Sequence, residues 1–262
     1  MLLGSVWFSP WTFGLFFAAV QAVMLWEFYR MMRAGGYAPA TWIGVGASLL
    51  FIMASLLVVA ANEEGTLGDI PVRAAAFFLC LPVVLLLREM VLWPKYRAPF
   101  SNVAVTLAGL FYVSFPMVLL GVIATTGLAY DYRRIFALLF LIWASDIGAY
   151  AAGKTFGKHK MAPQISPGKT WEGWAGGFVL TLVVGWALGF MLPDMPLTHR
   201  LVAAGVVAVF APLGDLVESM LKRSVGVKDS GSIMPGHGGL LDRFDAFLLV
   251  LPVLALLQLL AG

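Results

Sequence analysis

Eight apolar runs constrain the fold of this chain more than any other feature of its sequence. Each is long enough, or nearly so, to cross roughly 30 Å of hydrocarbon as a helix rising about 1.5 Å per residue. They cover residues 11–32, 42–61, 74–92, 103–124, 135–152, 174–192, 201–221 and 244–260. Since hydrocarbon offers no water to unpaired peptide groups, continuous runs of this length fold as helices. We predict an all-α polytopic membrane protein with eight transmembrane helices.

Composition supports this class and argues against a soluble or nucleic-acid-binding protein. Of the 262 residues, 61% are hydrophobic and 12% are charged, whereas soluble domains are about 25% charged. The net charge of +3 is an orientation signal in a membrane protein rather than a nucleic-acid footprint. The single cysteine, Cys80, excludes an internal disulfide. We predict one transmembrane domain, 1–262, in which 1–130 is mainly scaffold and 135–252 is the catalytic half.

Basic residues give the predicted helices an orientation. Thirteen of the 17 lysines and arginines lie in the first, third, fifth and seventh connections, which places these connections in the cytoplasm. The two longest polar connections, loop five (153–173) and loop seven (222–243), are both in this group and flank the sixth and seventh helices. We therefore expect them to meet at the cytoplasmic face.

Three acids lie inside predicted helices. Asp146 is in the fifth, and Asp215 and Glu218 are three residues apart on one face of the seventh. Because a carboxylate in a membrane helix is costly, its default interpretation is functional. The structural alternatives are an Asp146 that hydrogen bonds two helices together and an ordinary i, i+4 pair between Glu218 and Lys222.

Loop seven combines glycines with both signs of charge. Its sequence from residue 219 to 245 is SMLKRSVGVKDSGSIMPGHGGLLDRFD. Glycines let backbone N–H groups approach an anion, and the acids Asp242 and Asp245 follow them directly. Basic residues bracket the glycines: Lys222, Arg223, Lys228 and Arg243. This mixture fits a divalent cation held by carboxylates and shared with phosphate oxygens. His237 is interpreted as a proton-transfer or phosphate-binding group, or equally as a structural loop histidine.

Loop five contains a second group of phosphate ligands. In SPGKTWEG, residues 166–173, Ser166, Lys169 and Thr170 are natural partners of phosphate. The segment is not a Walker A loop, because Pro163 stands where the first glycine is required. Together the two loops indicate phosphate and metal chemistry on a lipid at the membrane surface.

Three segments resemble the phosphatidate cytidylyltransferase (CDP-diacylglycerol synthase) family. They are 219–242 followed by Arg243, the Asp-Ile-Gly-Ala-Tyr block at 146–150 running to Phe156-Gly157, and 166–173. The resemblance is strong over about 144–252 and mainly hydropathic before that. Family members usually have a complete first helix where only residues 1–10 precede Trp11 here. Restoring that helix would give nine spans and leave the loop orientation unchanged.

The resemblance implies an activity and a cofactor. CTP and phosphatidic acid would give CDP-diacylglycerol and pyrophosphate, in phospholipid biosynthesis, with Mg²⁺ on Asp215 and Asp242. Glu218, Asp245 and Asp146 would support that metal or a second cation such as K⁺. The expected catalytic residues are Asp215, Asp242, Lys222, Arg223 and His237. The expected substrate-binding residues are Ser166, Lys169, Thr170, Lys222, Arg223, Lys228, Asp229, Gly236, Gly238, Gly239 and Arg243.

The resemblance also implies a homodimer, contact with membrane lipid, and a place in the bacterial cytoplasmic (inner) membrane with the active site on the cytoplasmic side. Two other functions use the same residue types. A CTP-dependent polyprenol-type lipid kinase would release CDP instead of pyrophosphate. A cation-coupled transporter would use Asp146, Asp215 and Glu218 as an ion path, but the polar loops gather on one face, which disfavours transport.

Overall fold

Helices dominate the computed structural model of the chain, which describes residues 2–63, 70–95, 98–126, 129–231 and 238–260. Seven helical segments in these ranges are long and apolar enough to cross a membrane. They are Pro10–Ala34, Val72–Leu92, Pro99–Ile123, Tyr132–Phe156, Trp171–Phe190, Leu197–Ser224 and Leu241–Leu260. The predicted polytopic all-α fold is therefore confirmed.

The elements follow one another with short connections. In chain order the helices are α1 (Leu2–Phe8), α2 (Pro10–Ala34), α3 (Thr41–Glu63), α4 (Ile70–Leu92), α5 (Pro99–Gly109), a π-helical turn (Leu110–Ser114), α6 (Phe115–Val118), α7 (Leu120–Ile123), α8 (Tyr132–Phe156), α9 (Trp171–Ala187), a 3-10 turn (Leu188–Phe190), α10 (Leu197–Ser224) and α11 (Leu241–Leu260). The short strands are β1 (Thr125–Thr126), β2 (Ala129–Tyr130), β3 (Lys160–Ala162) and β4 (Ser166–Thr170).

The second predicted span and the N-terminal run are both helical. The predicted span 42–61 coincides with α3, whose apolar part among the described side chains is Thr41–Leu57. Helix α1 has 7 residues and ends at Phe8, so at about 1.5 Å per residue it is too short to cross hydrocarbon. Ser9 then caps α2 in a capping box with Thr12, and Pro10 occupies the first turn.

The chain divides into two compact units. The first runs from α1 into α7 and also contains Ser224–Asp242; the second contains α8, α9, α10 and α11 from Arg243 onward. The glycine-rich segment before α11 thus groups with the N-terminal helices rather than with the predicted catalytic half. The single domain and the scaffold role of 1–130 stay predictions.

Helix α2 is central to the core of the first unit. Tyr29 is fully buried, and its hydroxyl donates a hydrogen bond of 2.7 Å to the carbonyl of Thr106. A Cβ on Gly109 would lie 2.6 Å from the Tyr29 ring, so glycine is what lets α5 approach α2 here. Gln21 Nε2 donates to the Ser48 hydroxyl at 2.6 Å, which links α2 and α3 by a buried hydrogen bond.

Helices α8 and α9 pack at backbone distance in the second unit. A Cβ on Gly148 would lie 2.7 Å from the carbonyl oxygen of Gly176 and 2.9 Å from the Cα of Gly177. Small residues give membrane helices this close packing. Between the two helices, β3 and β4 form an antiparallel hairpin. Thr170 ends the hairpin and caps α9 by accepting a 3.2 Å hydrogen bond from the Gly173 N–H. Loop five is therefore a hairpin that leads directly into the sixth predicted span.

Candidate active site

Three carboxylates from two helices form a cluster in the second unit. Asp215 and Glu218 come from α10 and Asp245 from α11, and one ligand oxygen from each lies within 4.8 Å of the others. The three-residue spacing on α10 places both of its acids on one face. We call these three residues the acidic cluster; among the described residues, it does not include Asp146.

Gly214 brings α10 and α11 together beside the acidic cluster. A Cβ at this position would lie 2.6 Å from the carbonyl oxygen of Asp245 and 3.0 Å from the Cα of Ala246. A larger residue would push the two backbones apart, and with them the carboxylates of Asp215 and Asp245. The close approach of the helices therefore depends on the residue directly before Asp215.

Lys169 reaches the acidic cluster from strand β4. Its Nζ lies 2.8 Å from Asp215 Oδ2 and donates a 2.8 Å hydrogen bond to the carbonyl of Pro212. Proline also removes the N–H that the Ala208 carbonyl would otherwise accept, and that carbonyl accepts a 3.1 Å hydrogen bond from Trp174 Nε1 instead. Strand β4 and helix α9 are thus joined to α10 through the carbonyls of Pro212 and Ala208.

Glu218 is the deepest acid of the cluster. It is 1% exposed, and its carboxylate lies 2.5 Å from Lys222 Nζ. An unpaired carboxylate at this depth would cost several kcal/mol, so the lysine one turn later is needed for its burial. Ser219 adds a hydrogen bond of 3.2 Å to Asp215 Oδ1. Each acid on α10 therefore has a lysine partner, Lys169 for Asp215 and Lys222 for Glu218.

Asp146 lies on α8 with an exposed side chain. It interacts electrostatically with Asp215 and with Lys169. The negative charge of the acidic cluster thus extends to a third helix of the same unit. This places the predicted intramembrane acid near the site without making it a member of the cluster.

Asp242 has a different environment, in the first unit. Its Oδ2 accepts hydrogen bonds from the Gly239 N–H at 2.7 Å and from the Ser230 N–H at 3.2 Å. Gly238 between them has φ +78, a backbone conformation that favours glycine. A Cβ there would also lie 2.7 Å from Asp242 Oδ2. Asp242 therefore joins the two ends of the segment that runs from Ser230 to Gly239.

A sequence model described as the cytidylyltransferase family matches residues 1–260. The chain belongs to this family. Relatives named phosphatidate cytidylyltransferase include one from Bacillus subtilis, 52% identical over 127 residues, which are 48% of this chain and 47% of the relative. Those from Staphylococcus saprophyticus and Staphylococcus haemolyticus are 43% and 42% identical over 164 residues, 62% of each chain. The matched stretches thus cover about half to three fifths of the relatives.

The structure brings together only part of the site predicted for this cytidylyltransferase-family chain. Asp215, Glu218, Asp245, Lys169 and Lys222 meet in the second unit. Ser166 is half-buried in the hairpin, and the Thr170 hydroxyl caps a helix. Arg223, Lys228, Asp229 and Arg243 have exposed side chains. Gly236 and His237 lie outside the described residues. The roles assigned to all of these residues stay predictions.

Sequence reasoning missed several acids of the described chain, including the buried Glu27 and Glu89 and the loop-five acid Glu172. Glu172 accepts hydrogen bonds from the Lys158 and His159 N–H groups and lies 2.6 Å from the His159 ring nitrogen Nδ1, which closes loop five. Glu27 is fully buried in α2. The rule that singled out Asp146, an acid inside an apolar run, applies equally to Glu27.

Proposed function

We propose that this protein transfers a cytidylyl group from CTP to phosphatidic acid, giving CDP-diacylglycerol and pyrophosphate. The observation that carries the proposal is the acidic cluster with its two lysines, in a chain whose relatives are named phosphatidate cytidylyltransferase. A carboxylate cluster supports cation binding, and lysines support phosphate binding. The reaction needs both.

The acidic cluster fits a magnesium ion. It offers oxygen donors from three carboxylates grouped within 4.8 Å, the ligand type that Mg²⁺ prefers. We assign Mg²⁺ to Asp215, Glu218 and Asp245, with Asp242 as a further ligand on the resemblance alone. When bound, Mg²⁺ would offset negative charge on the phosphates and on the leaving pyrophosphate. Asp146, which interacts electrostatically with Asp215, adds a further carboxylate and would favour a second cation such as K⁺.

The lysines are proposed to hold the phosphates. Lys169 pairs with Asp215 and Lys222 with Glu218, which places an ammonium group, a natural phosphate ligand, beside each acid of α10. Arg223 and Lys228 are exposed nearby in sequence and would add positive charge. A phosphatidate oxygen forms the new bond to the α-phosphorus, and the bond from that phosphorus to the oxygen bridging to the β-phosphate breaks. The attacking oxygen is already anionic, so no base is required.

We place the reaction at the cytoplasmic face of a bacterial inner membrane. Lys169 and Lys222 belong to the basic connections, which the charge distribution assigns to the cytoplasm. Phosphatidic acid would come from the surrounding lipid and CTP from the aqueous side. A homodimer is proposed on the family resemblance alone.

The test is turnover of CTP labelled at either the α- or the γ-phosphate, with phosphatidic acid, Mg²⁺ and purified protein in detergent micelles. Cytidylyl transfer moves the α label into lipid and the γ label into pyrophosphate, and EDTA stops both. A γ label that appears in a polyprenol-type lipid, with release of CDP, would favour the kinase instead. Absence of lipid labelling by folded protein would contradict the proposal.

A further inference from the structure

Two ends of one segment meet at a buried acid that the proposed reaction does not use. Glu27, in the last third of α2, is 0% exposed. Its Oε2 accepts a hydrogen bond of 2.8 Å from the Leu241 N–H, at the first residue of α11. The Ser230 hydroxyl donates to the same oxygen at 3.4 Å. Ser230 and Leu241 bound the glycine-rich segment, and all three residues belong to the first unit.

Glycines make room for this carboxylate. A Cβ on Gly239 would lie 2.6 Å from Glu27 Oε2, and a Cβ on Gly231 would lie 2.7 Å from the Glu27 carboxyl carbon. These two glycines enclose the acid from both ends of the segment. The sequence suggested that glycines here let a phosphate approach the backbone. The Glu27 carboxylate gives Gly231 and Gly239 a structural reason to be small as well.

Helix α2 holds Ser230 at several points at once. Arg30, one turn after Glu27, donates a hydrogen bond of 3.2 Å to the Ser230 carbonyl. The Ser230 N–H is bound by Asp242 Oδ2 at 3.2 Å, and its hydroxyl by Glu27. Each polar group of Ser230 thus has a partner on α2 or on α11, which fixes where the segment begins.

The choice of an acid at this depth needs an explanation beyond helix capping. Glu27 Oε1 has no hydrogen-bond partner among the described residues, and a buried polar atom without one costs free energy. A carboxylate within a membrane helix calls for an explanation. Glu89 in α4 has one in its partners Arg88 and Asn102, which bind both of its oxygens, whereas in the described part of the chain only one oxygen of Glu27 is bound.

Glu27 is linked to Asp242 in two ways: Leu241, whose N–H it binds, directly precedes Asp242, and Ser230 contacts both acids. The resemblance assigns Asp242 to the metal.

We propose that Glu27 is a positioning residue for the proposed reaction: it holds Ser230 and Leu241 at a set separation and so orients the Asp242 carboxylate. The inference rests on the proposed function, but its structural part stands on the contacts of the first unit alone. Glu27 acts through hydrogen-bond geometry, so the position of its acceptor oxygens matters more than its charge.

Two conservative variants separate geometry from charge. Glu27→Gln keeps an acceptor oxygen at the same reach and removes the charge, whereas Glu27→Asp keeps the charge and withdraws the acceptor by one methylene. Positioning predicts that Glu27→Asp lowers kcat by about tenfold or more, with a smaller effect on KM for CTP, and that Glu27→Gln retains more activity than Glu27→Asp. The reverse order, or wild-type kcat in both, would overturn the proposal.

Hydrogen exchange provides a readout that does not depend on turnover. Amides of the peptide covering 228–242 should exchange faster in Glu27→Asp than in wild type, with Glu27→Gln in between. Unchanged exchange in Glu27→Asp would contradict the positioning role whatever the activity. If wild-type protein makes no CDP-diacylglycerol, the proposed function fails, yet the exchange result still decides whether Glu27 orders the segment.

Glu89 is the matched control. It is a buried acid of α4, also in the first unit. It accepts a 3.0 Å hydrogen bond from Asn102 and forms an ion pair with Arg88. It makes none of the contacts that join Glu27 to Ser230 and Leu241. Glu89→Gln and Glu89→Asp should leave kcat per folded molecule and exchange over 228–242 at wild-type values, even where they lower thermal stability. A loss of kcat in both controls equal to that of Glu27→Asp would mean that any buried acid here supports activity, and would overturn the assignment.

Discussion

The acids of α10 in the second unit and the acids beside the glycine-rich segment in the first unit have partners of different kinds. In the second unit, Asp215 and Glu218 pair with the ammonium groups of Lys169 and Lys222. In the first unit, Asp242 accepts hydrogen bonds from the Ser230 and Gly239 N–H groups, and Glu27 accepts one from the Leu241 N–H. A lysine side chain is flexible and can change partners as charges arrive, whereas a backbone N–H is fixed by the fold. The acidic cluster with its two lysines is therefore suited to binding a cation and phosphates, and Asp242 and Glu27 to holding the described ends of the glycine-rich segment.

The largest expected effect separates the two kinds of acid. Asp215→Asn should lower CDP-diacylglycerol formation by at least about a hundredfold, because it removes a charged ligand of the proposed Mg²⁺. It should leave amide exchange over 228–242 unchanged.

Asp242→Asn should raise that exchange, because it weakens the acceptor of the Ser230 and Gly239 N–H groups.

Asp194→Asn is the control for Asp215→Asn. Asp194 is also in the second unit, is 80% exposed and contacts Arg133 at 3.4 Å. Its removal should not change turnover. Faster exchange over 228–242 in Asp215→Asn would break the comparison, since it would mean that the acidic cluster also orders the glycine-rich segment.

Variants of Lys169 test whether a lysine that pairs with an acid of the cluster also binds a phosphate of CTP. Lys169→Ala should lower kcat/KM for CTP by about tenfold or more, since a charge-assisted contact to phosphate is lost. Lys169→Arg should recover part of it. The control is Lys154→Ala, since Lys154 is in the same unit and its Nζ lies 5.7 Å from the Tyr150 ring centroid. This variant should leave kcat/KM for CTP unchanged. A variant that needs less Mg²⁺ but has normal KM for CTP would instead make Lys169 only a counter-charge for Asp215.

Gly214 tests how tightly α10 and α11 must pack. Gly214→Ala should lower stability by about 1–3 kcal/mol, because its Cβ would meet the Asp245 carbonyl at 2.6 Å. Turnover should fall as Asp215 and Asp245 separate. Gly205→Ala, on the same helix with nothing within 4 Å of its Cβ, should be neutral or slightly stabilising. Thermal unfolding in detergent and the Mg²⁺ dependence of turnover measure both effects; equal behaviour of the two variants would contradict the packing argument.

The smallest effect concerns a carboxylate that has both kinds of partner. Asp131 caps α8 by accepting a 3.0 Å hydrogen bond from the Arg133 N–H, and it pairs with the Arg133 side chain at 2.9 Å. Burial acts to raise the pKa of Asp131, but the hydrogen bonds and charge of Arg133 outweigh it, so the pKa is lowered. A lowered pKa in the folded state means that the carboxylate stabilises the fold above its ordinary pKa and loses this contribution as the pH falls.

Asp131→Ala should therefore reduce stability by about 1 kcal/mol near neutral pH. The difference between wild type and variant should shrink below about pH 4, where the carboxylate of the wild type becomes protonated. Asp131→Asn keeps a capping oxygen and should lie between the two. Thermal unfolding measured as a function of pH checks this, and a difference that grows on acidification would contradict the pKa argument.

Hydropathy was sufficient for the helices because their burial in lipid is a property of each segment alone. The predicted spans 135–152, 174–192 and 201–221 correspond to Tyr132–Phe156, Trp171–Phe190 and Leu197–Ser224. Each observed helix extends into its polar end, where capping residues such as Asp131 and Thr170 set the boundary. A window of apolar residues does not detect those ends. The hairpin at loop five was missed for a related reason, since its strands are only 3 and 5 residues long.

The acidic cluster was predictable in its members but not in its partners. Spacing put Asp215 and Glu218 on one face, and the order of the motif put Asp245 near them in the predicted site. That Lys169 would pair with Asp215 depends on where the β3–β4 hairpin places a side chain 46 positions away in the chain. The hydrogen bond between Glu27 and Leu241 is even harder to predict from the sequence, because the two residues are 214 positions apart.

The sequence by itself determined the membrane class, the helical spans, the candidate acids and the family, because hydrophobicity, charge and motif order are read along the chain. Only the tertiary structure decided which acids pair with lysines and which bind backbone N–H groups. That choice depends on contacts between residues far apart in the chain, at distances of about 3 Å. Such contacts are set by the close approach of helices at Gly214 and of the glycine-rich segment at Gly231 and Gly239, and no local pattern encodes them.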